Sequence, residues 1–396
     1  MARFTLPRDI YHGKNALEAL KSIKGDRAVI VTGGGSMKRH GFLDDVSHKL
    51  KDAGFEIQLI DGVEADPSVE TVMNGARAMR QFEPDWIVAI GGGSAIDAAK
   101  AMWVFYEYPD ISLEDILAPF SFPTLRQKAR FCAIPSTSGT ASEVTAFSVI
   151  TDYDKGVKYP LADFNITPDM AIVDASIAMT MPRSLAANTG MDAMSHAIEA
   201  YVSTLHCDYT DPLAIQAIRL INENLIPSCD ADETARQKMH DASCLAGMAF
   251  SNALLGIVHS MAHKTGAAFS SGHIPHGLAN AMYLPKVISY NAKDEPTRAR
   301  YAQIARAMGI DGTDDGELTD NLKKRLCEMR DSLGIPSCIA KFDSGSIGRD
   351  EFYQKLPQIA RLAVSDACTL SNPRRIDDIT MQRLFECCYN DLEVDF

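Results

Sequence analysis

Over the first 180 or so residues, short unbroken apolar runs alternate with stretches whose apolar positions recur every three or four residues. Ala28-Val29-Ile30-Val31 reads as a buried strand, and Phe42 to Ala53 as an amphipathic helix. Ile57-Gln58-Leu59-Ile60 is the next strand and Val69 to Gln81 the next helix. Trp86-Ile87-Val88-Ala89-Ile90 runs into Gly91-Gly92-Gly93-Ser94, with Ala95 to Phe105 helical behind it. Phe131-Cys132-Ala133-Ile134 and Ala171-Ile172-Val173 supply further strands. Apolar strands alternating with helices predict a parallel sheet covered on both faces. Phe147 to Tyr159 predicts a hairpin turning at Asp152–Gly156.

Beyond Met181-Pro182 the strand signal disappears. Helical periodicity runs through Met191–Thr204, Pro212–Leu225 and Glu233–Asn252 and on to the C-terminus. The expected organisation is an α/β N-terminal domain over 1–182 and an all-helical C-terminal domain over 183–396, with a ligand cleft between them. A chain of 396 residues suits two domains better than one core.

Composition narrows the classes of partner. The net charge of -13 disfavours nucleic acid and anionic membranes. No apolar run reaches the roughly 18–20 residues of a membrane span, and Met1-Ala2-Arg3-Phe4 lacks the apolar region of a signal peptide. Nine cysteines without CxxC spacing fit buried free thiols in a reducing compartment. These features together predict a cytoplasmic protein.

Three turns at strand ends carry candidate nucleotide-binding chemistry. Glycines at Gly92 and Gly93, followed by Ser94 and Asp97 at a helix start, allow close backbone approach to a phosphate at the positive end of the helix. Pro135-Ser136-Thr137-Ser138-Gly139-Thr140-Ala141-Ser142-Glu143 also follows a strand and offers hydroxyls. A tight βα turn accounts for one such segment alone, but two at successive ends of one parallel sheet point to a ligand. The third turn is Thr32-Gly33-Gly34-Gly35-Ser36-Met37-Lys38-Arg39. An acidic residue at such a strand end commonly holds the ribose 2′-hydroxyl of NAD. Glycines with Ser36, Lys38 and Arg39 beyond them instead suit the 2′-phosphate of NADP.

Seven of the ten histidines fall between His196 and His276. Asp192 and His196 stand four apart on one predicted helix and share a face, and His259 and His263 repeat that spacing. His273 and His276 follow in a glycine-flanked segment. A single Asp/His pair is more often a surface hydrogen bond; three segments carrying five histidines point to a metal. Imidazole with a carboxylate suits Fe²⁺, Zn²⁺, Ni²⁺ or Co²⁺ and is poor for Mg²⁺ or Ca²⁺. The absence of cysteine at ligand spacing argues against structural zinc.

Gly190-Met191-Asp192-Ala193-Met194-Ser195-His196-Ala197-Ile198-Glu199-Ala200 closely resembles one signature of the iron-containing (group III) alcohol dehydrogenases. Gly256–His263 through Pro275-His276-Gly277-Leu278-Ala279-Asn280 resembles the second. The resemblance extends over nearly the whole chain and is nearest to members reducing butanal, propanediol precursors or lactaldehyde. It implies metal ligands Asp192, His196, His259 and His276, with His263 as a non-ligand histidine beside substrate and nicotinamide. It implies cofactor contacts at Gly92, Gly93, Ser94, Asp97, Thr137, Ser138, Thr140 and Lys158, to which the first turn adds Gly33, Gly34 and Ser36 as candidates. The glycine run at Gly33 resembles NADP-preferring members, whereas His273–Asn280 looks more like the NAD-using domain of bifunctional aldehyde-alcohol dehydrogenases. NADP is the expected cofactor, with NAD the alternative; Fe²⁺ is the expected ion, with Zn²⁺ possible.

The implied reaction moves hydride between NAD(P)(H) and a primary alcohol, aldehyde or short diol, with the ion as Lewis acid and His263 relaying the proton. Phe147, Val149 and Leu254 are candidates for the substrate end of the site. Rival readings are a dehydroquinate synthase-type lyase, glycerol dehydrogenase-like polyol oxidation, and a non-catalytic nucleotide sensor or metal store. The first needs several Lys and Arg residues around the metal, whereas the motifs here are flanked mostly by Ala, Met, Ser and Gly. The family also implies a homodimer or a higher homo-oligomer.

Overall fold

The computed structural model describes residues 3–396 apart from 156 and 267. The chain packs as two units, Met1–Met181 and Pro182–Phe396.

Among its described residues the first unit has eight strands: β1 (Asp9–His12), β2 (Arg27–Gly33), β3 (Glu56–Val63), β4 (Trp86–Gly91), β5 (Arg130–Pro135), β6 (Phe147–Asp152), β7 (Val157–Ala162) and β8 (Met170–Val173). Its helices are α1 (Ser36–Arg39), α2 (Phe42–Asp52), α3 (Val69–Phe82), α4 (Gly93–Glu107) and α5 (Ala175–Ala178). Six strands form one parallel sheet in the order β1-β8-β5-β4-β2-β3. Side chains alternate across the pleat, so the apolar runs feed two cores. Val29, Val31, Ile87, Ala89, Phe131 and Ala133 face the core that contains Trp103 and Met102 of α4. Ala28, Ile30, Val88, Ile90, Cys132 and Ile134 face the other, with Val46 and Leu50 of α2. β6 and β7 form the expected antiparallel hairpin; Gly156, placed at its turn by the sequence pattern, lies outside the described residues.

The sheet changes direction beside β2, which has β3 on one side and β4 on the other. Ligands of open α/β sheets bind at the carboxyl ends of strands at such a switch. The register brings Thr32 opposite Ile90 and Gly91 opposite Pro135, so the three turns read from the sequence stand side by side.

Among its described residues the second unit holds only helices: α6 (Arg183–Val202), α7 (Asp211–Cys229), α8 (Glu233–Ala253), α9 (Ile257–Thr265), α10 (His276–Asn291), α11 (Glu295–Ala307), α12 (Asp315–Ser332), α13 (Arg349–Val364) and α14 (Asp378–Asn390), with short 3₁₀ turns. Aspartates begin several of them. Asp232 accepts from Ala235 N–H at 2.8 Å and Asp294 from Thr297 N–H at 3.0 Å, satisfying amides that a helix start leaves unpaired. α6 is buried on every side from Gly190 to Val202, so it is the central helix. That burial takes Asp192, His196 and Glu199 with it. Removing a carboxylate from water costs several kcal/mol unless partners compensate, so each of these groups must be paired or hold a ligand. No single described helix is long and apolar enough to cross a membrane.

Candidate functional site

In the first unit, a pocket at the ends of β2 and β4 is lined by Gly33, Ser36, Gly92, Gly93, Ser94 and Ser136, among others. Glycine is needed here for close approach: a Cβ on Gly33 would lie 2.7 Å from the Val63 carbonyl oxygen. Gly34 has a φ of +51°, in the left-handed region. The loop after β5 packs on the glycine turn, with Thr137 against Gly92 and Thr140 against Gly93. Arg39 folds back over the first turn, its Nη1 2.6 Å from where a Cβ on Gly35 would be.

Two residues matched to the cofactor set have protein partners. Asp97 Oδ2 accepts from Val149 N–H at 2.9 Å, and Ser148 Oγ donates to the Asp97 carbonyl at 2.8 Å, which ties α4 to β6. Lys158 Nζ lies 2.7 Å from Asp66 Oδ1. Ser138 is buried in the loop that carries Thr137 and Thr140.

In the second unit, donor atoms of Asp192, His259 and His276 lie within 4.8 Å of one another. Asp192 Oδ1 is 3.7 Å from His259 Nε2 and 3.5 Å from His276 Nε2. Donors about 2.1 Å from one ion stand roughly 3–3.5 Å apart, so this set fits a divalent transition metal after small adjustment. His196, one turn after Asp192, is outside that mutual set; its ring stacks on His259 at 4.4 Å and on Phe250 at 4.2 Å. Close packing brings His276 in. A Cβ on Gly277 would fall 2.1 Å from the Asn188 carbonyl oxygen, so glycine lets the start of α10 lie against α6.

The electrostatics favour a cation. Burial pushes the Asp192 carboxyl up, but His196, His276 and His259 outweigh it and hold the group well below the usual carboxylate range. Burial likewise lowers His259, yet the carboxylates of Asp192 and Glu199 on either side push it up to about 9. Two carboxylates among buried imidazoles thus make a place where positive charge is stabilised.

Three residues that the sequence reading gave no role belong to this site. Glu199 is 3% exposed; its Oε2 meets His259 Nδ1 at 2.5 Å and its Oε1 accepts from Val258 N–H at 2.7 Å. A carboxylate on Nδ1 places the proton there and leaves the Nε2 lone pair for an ion. Asn280, one turn after His276, places Nδ2 2.7 Å from Asp192 Oδ1 and 3.2 Å from Nε2 of both His259 and His276. Its Oδ1 is buried without a hydrogen-bond partner among the described residues. Three lone pairs converge on one amide with two hydrogens, a second sign that the cluster accommodates a cation. Asp366 is the third: its Oδ2 is 3.3 Å from His263 Nδ1. The His263 ring stacks on His276 at 5.3 Å, beside the donors. Spacing was a usable signal for Glu199 and Asn280, three residues after His196 and four after His276.

Of the residues suggested for the substrate end, Phe147 and Val149 are partly buried on β6, and Leu254 ends α8 with a φ of 59°.

Comparisons with known proteins place the chain in a family. Residues 7–175 match the iron-containing alcohol dehydrogenase family, and residues 186–389 match the C-terminal part of the Fe-containing alcohol dehydrogenase family. The chain is 60% identical over 396 residues to the NADPH-dependent butanol dehydrogenase of Clostridium saccharobutylicum, covering 100% of both. It is 42% identical to the bifunctional aldehyde-alcohol dehydrogenase of Escherichia coli strain K12 over 93% of this chain and 44% of that one. The iron-containing alcohol dehydrogenase structure from Thermococcus thioreducens is similar with a TM-score of 0.90 and 36% identity, covering 98% of this chain and 100% of that one. A 1,3-propanediol oxidoreductase structure is similar with a TM-score of 0.89 and 32% identity, covering 98% of this chain and 100% of that one. The chain belongs to the iron-containing alcohol dehydrogenase family.

Proposed function

We propose that this protein catalyses the reversible, NADP(H)-dependent interconversion of a short primary alcohol and its aldehyde, with one divalent ion held by Asp192, His196, His259 and His276. The convergence of Asp192, His259 and His276 carries the reading. Support for NADP comes from the 60% identical butanol dehydrogenase, named as NADPH-dependent, and from glycine with Arg39 at the first turn. Fe²⁺ is the proposed ion, as the family name implies; the same donors suit Zn²⁺.

In the oxidative direction the alcohol loses a hydride from carbon to the nicotinamide and a proton from oxygen. When bound, the ion supplies Lewis acidity toward the substrate oxygen and the nicotinamide accepts the hydride. The chain supplies the rest. Gly33, Gly34, Ser36, Gly92, Gly93 and Ser94 bind the nucleotide, with Thr137, Ser138, Thr140 and Lys158 completing the contacts. In this assignment Asp97 holds the β6 hairpin onto α4. Glu199 orients His259, and His263 carries the proton between substrate and solvent. Buried Ala193, Met194, Met261 and Ala262 surround the ligand segments, which gives no support to a lyase gripping a phosphorylated substrate.

The test is metal-loaded protein assayed with butyraldehyde and either NADPH or NADH. Aldehyde-dependent oxidation with the higher kcat/KM for NADPH is expected; no turnover with either would overturn the reading. We also propose a cytoplasmic homodimer or higher homo-oligomer, checked by light scattering on the purified protein.

A further inference from the structure

We infer that Asp366 is a positioning residue that fixes His263 in its Nδ1–H form and so sets the nitrogen available for proton transfer. This rests on the proton-carrying role proposed for His263.

Asp366 stands before the 3₁₀ turn Ala367–Ser371, with its side chain 6% exposed. Its two oxygens have separate tasks. Oδ1 accepts from Cys368 N–H at 3.0 Å, which caps the turn. Oδ2 faces His263 Nδ1 at 3.3 Å and Lys264 Nζ at 2.7 Å. The turn is pinned to α9, because Thr369 Oγ1 lies 2.8 Å from Ser260 Oγ while donating to the Ala363 carbonyl at 2.7 Å. The carboxylate therefore reaches His263 from a braced position. An ionised carboxylate only accepts, so the imidazole nitrogen facing it carries hydrogen, and Nε2 is the nitrogen left to take or give a proton.

His263, Asp366 and Cys368 also bring donor atoms within 4.8 Å, a spacing open to a second soft metal ion. The Lys264 ammonium on Oδ2 argues against that use, since a cation there would have to displace it. The partners of this carboxylate are protonated groups. Burial pushes the Asp366 carboxyl up, but His263 and then Lys264 outweigh it and hold the group well below the usual range.

The geometry predicts an unusual outcome for D366N. Cys368 N–H retains the amide oxygen at the place of Oδ1, so the amide NH₂ faces His263. The cap survives and the partly exposed Lys264 ammonium turns to solvent, but the imidazole must accept at Nδ1 and carry its hydrogen on Nε2. The experiment compares D366N, D366A, H263A and the D366N/H263A double variant, all metal-loaded, for kcat, KM, metal per chain and Tm. D366N is expected to keep its metal, its Tm and its KM for aldehyde while kcat falls by about 10²-fold, at the lower end of what a general acid–base group contributes. D366A, which also loses the cap, falls in both kcat and Tm. H263A falls as far as D366N, and the double variant falls no further. Wild-type kcat in D366N beside an impaired H263A would overturn the inference, as would losses that add in the double variant, or a kcat loss in D366N that tracks lost metal or lowered Tm. Wild-type kcat in H263A would instead refute the role of His263 itself.

Discussion

Glu199 offers a direct probe of how the chain holds its ion. Glu199→Gln keeps the volume and removes the charge. The carboxylate takes hydrogens from Val258 N at 2.7 Å and His259 Nδ1 at 2.5 Å, with His259 N at 3.4 Å, all buried. An amide has one accepting end. If its oxygen serves Val258, its NH₂ faces His259 and drives the ring's hydrogen onto Nε2, where the ion should bind. If the amide turns, NH₂ meets the Val258 N–H and a buried donor is left unsatisfied. A hydrogen bond to a charged group is worth about 1.5–3 kcal/mol and an unsatisfied buried donor costs about 1–3 kcal/mol. Both routes predict a loss near 2 kcal/mol, or roughly 10- to 100-fold in metal affinity, the range seen for partners of ligating histidines. The assay is titration of metal-stripped protein with Co²⁺ against a chelator of known affinity, reading the visible bands of the bound ion. Affinity unchanged in Glu199→Gln, with the protein folded, would refute the claim that Glu199 prepares His259.

Three further perturbations test other parts of the molecule. Arg39→Leu should lower kcat/KM for NADPH roughly 10-fold, as expected for loss of a charged hydrogen bond, and leave NADH unchanged; an unchanged ratio would reject Arg39 as the 2′-phosphate group. Gly33→Asp should shift preference toward NAD, as the sequence reading expects, but with weaker binding of both cofactors, because a Cβ there meets the Val63 carbonyl at 2.7 Å. Burial pushes the Glu143 carboxyl up from 4.5 to about 7. A raised acid pKa favours the protonated folded form, so stability is lost as pH rises from about 4.5 through about 7. At about 1.4 kcal/mol per pH unit this amounts to about 3 kcal/mol. Glu143→Gln should therefore equal wild type near pH 4.5 and exceed it in denaturant stability at pH 8; parallel pH profiles would contradict this.

The strands of the sheet were legible because both of its faces are covered, so β2, β4 and β5 read as unbroken apolar runs. β1 was not: Asp9–His12 is a partly exposed edge strand with two polar residues of its four. α6 begins at Arg183, eight residues before the helix read from the sequence at Met191, because Arg183–Leu185 are exposed and Ala186-Ala187-Asn188-Thr189 buries only small side chains that make no apolar stripe. In the site, local spacing revealed Asp192 with His196 and His259 with His263. Asp366 is 103 residues from His263, and only folding makes them neighbours. The cofactor turns were visible as glycine runs, but not that Asp97 would face Val149 or that Lys158 would pair with Asp66. Those partners are set by where the β6–β7 hairpin packs, which no periodicity encodes.

In the proposed function, the reaction occurs at a divalent ion held by Asp192, His196, His259 and His276. Metal analysis of anaerobically purified wild type and His259→Ala, paired with NADPH binding and butyraldehyde reduction, tests it most directly. Wild type is expected to hold one divalent ion per chain, and His259→Ala to retain no ion and show no turnover but bind NADPH as wild type does. A His259→Ala protein that retains a full complement of metal, or that reduces butyraldehyde without one, would contradict it.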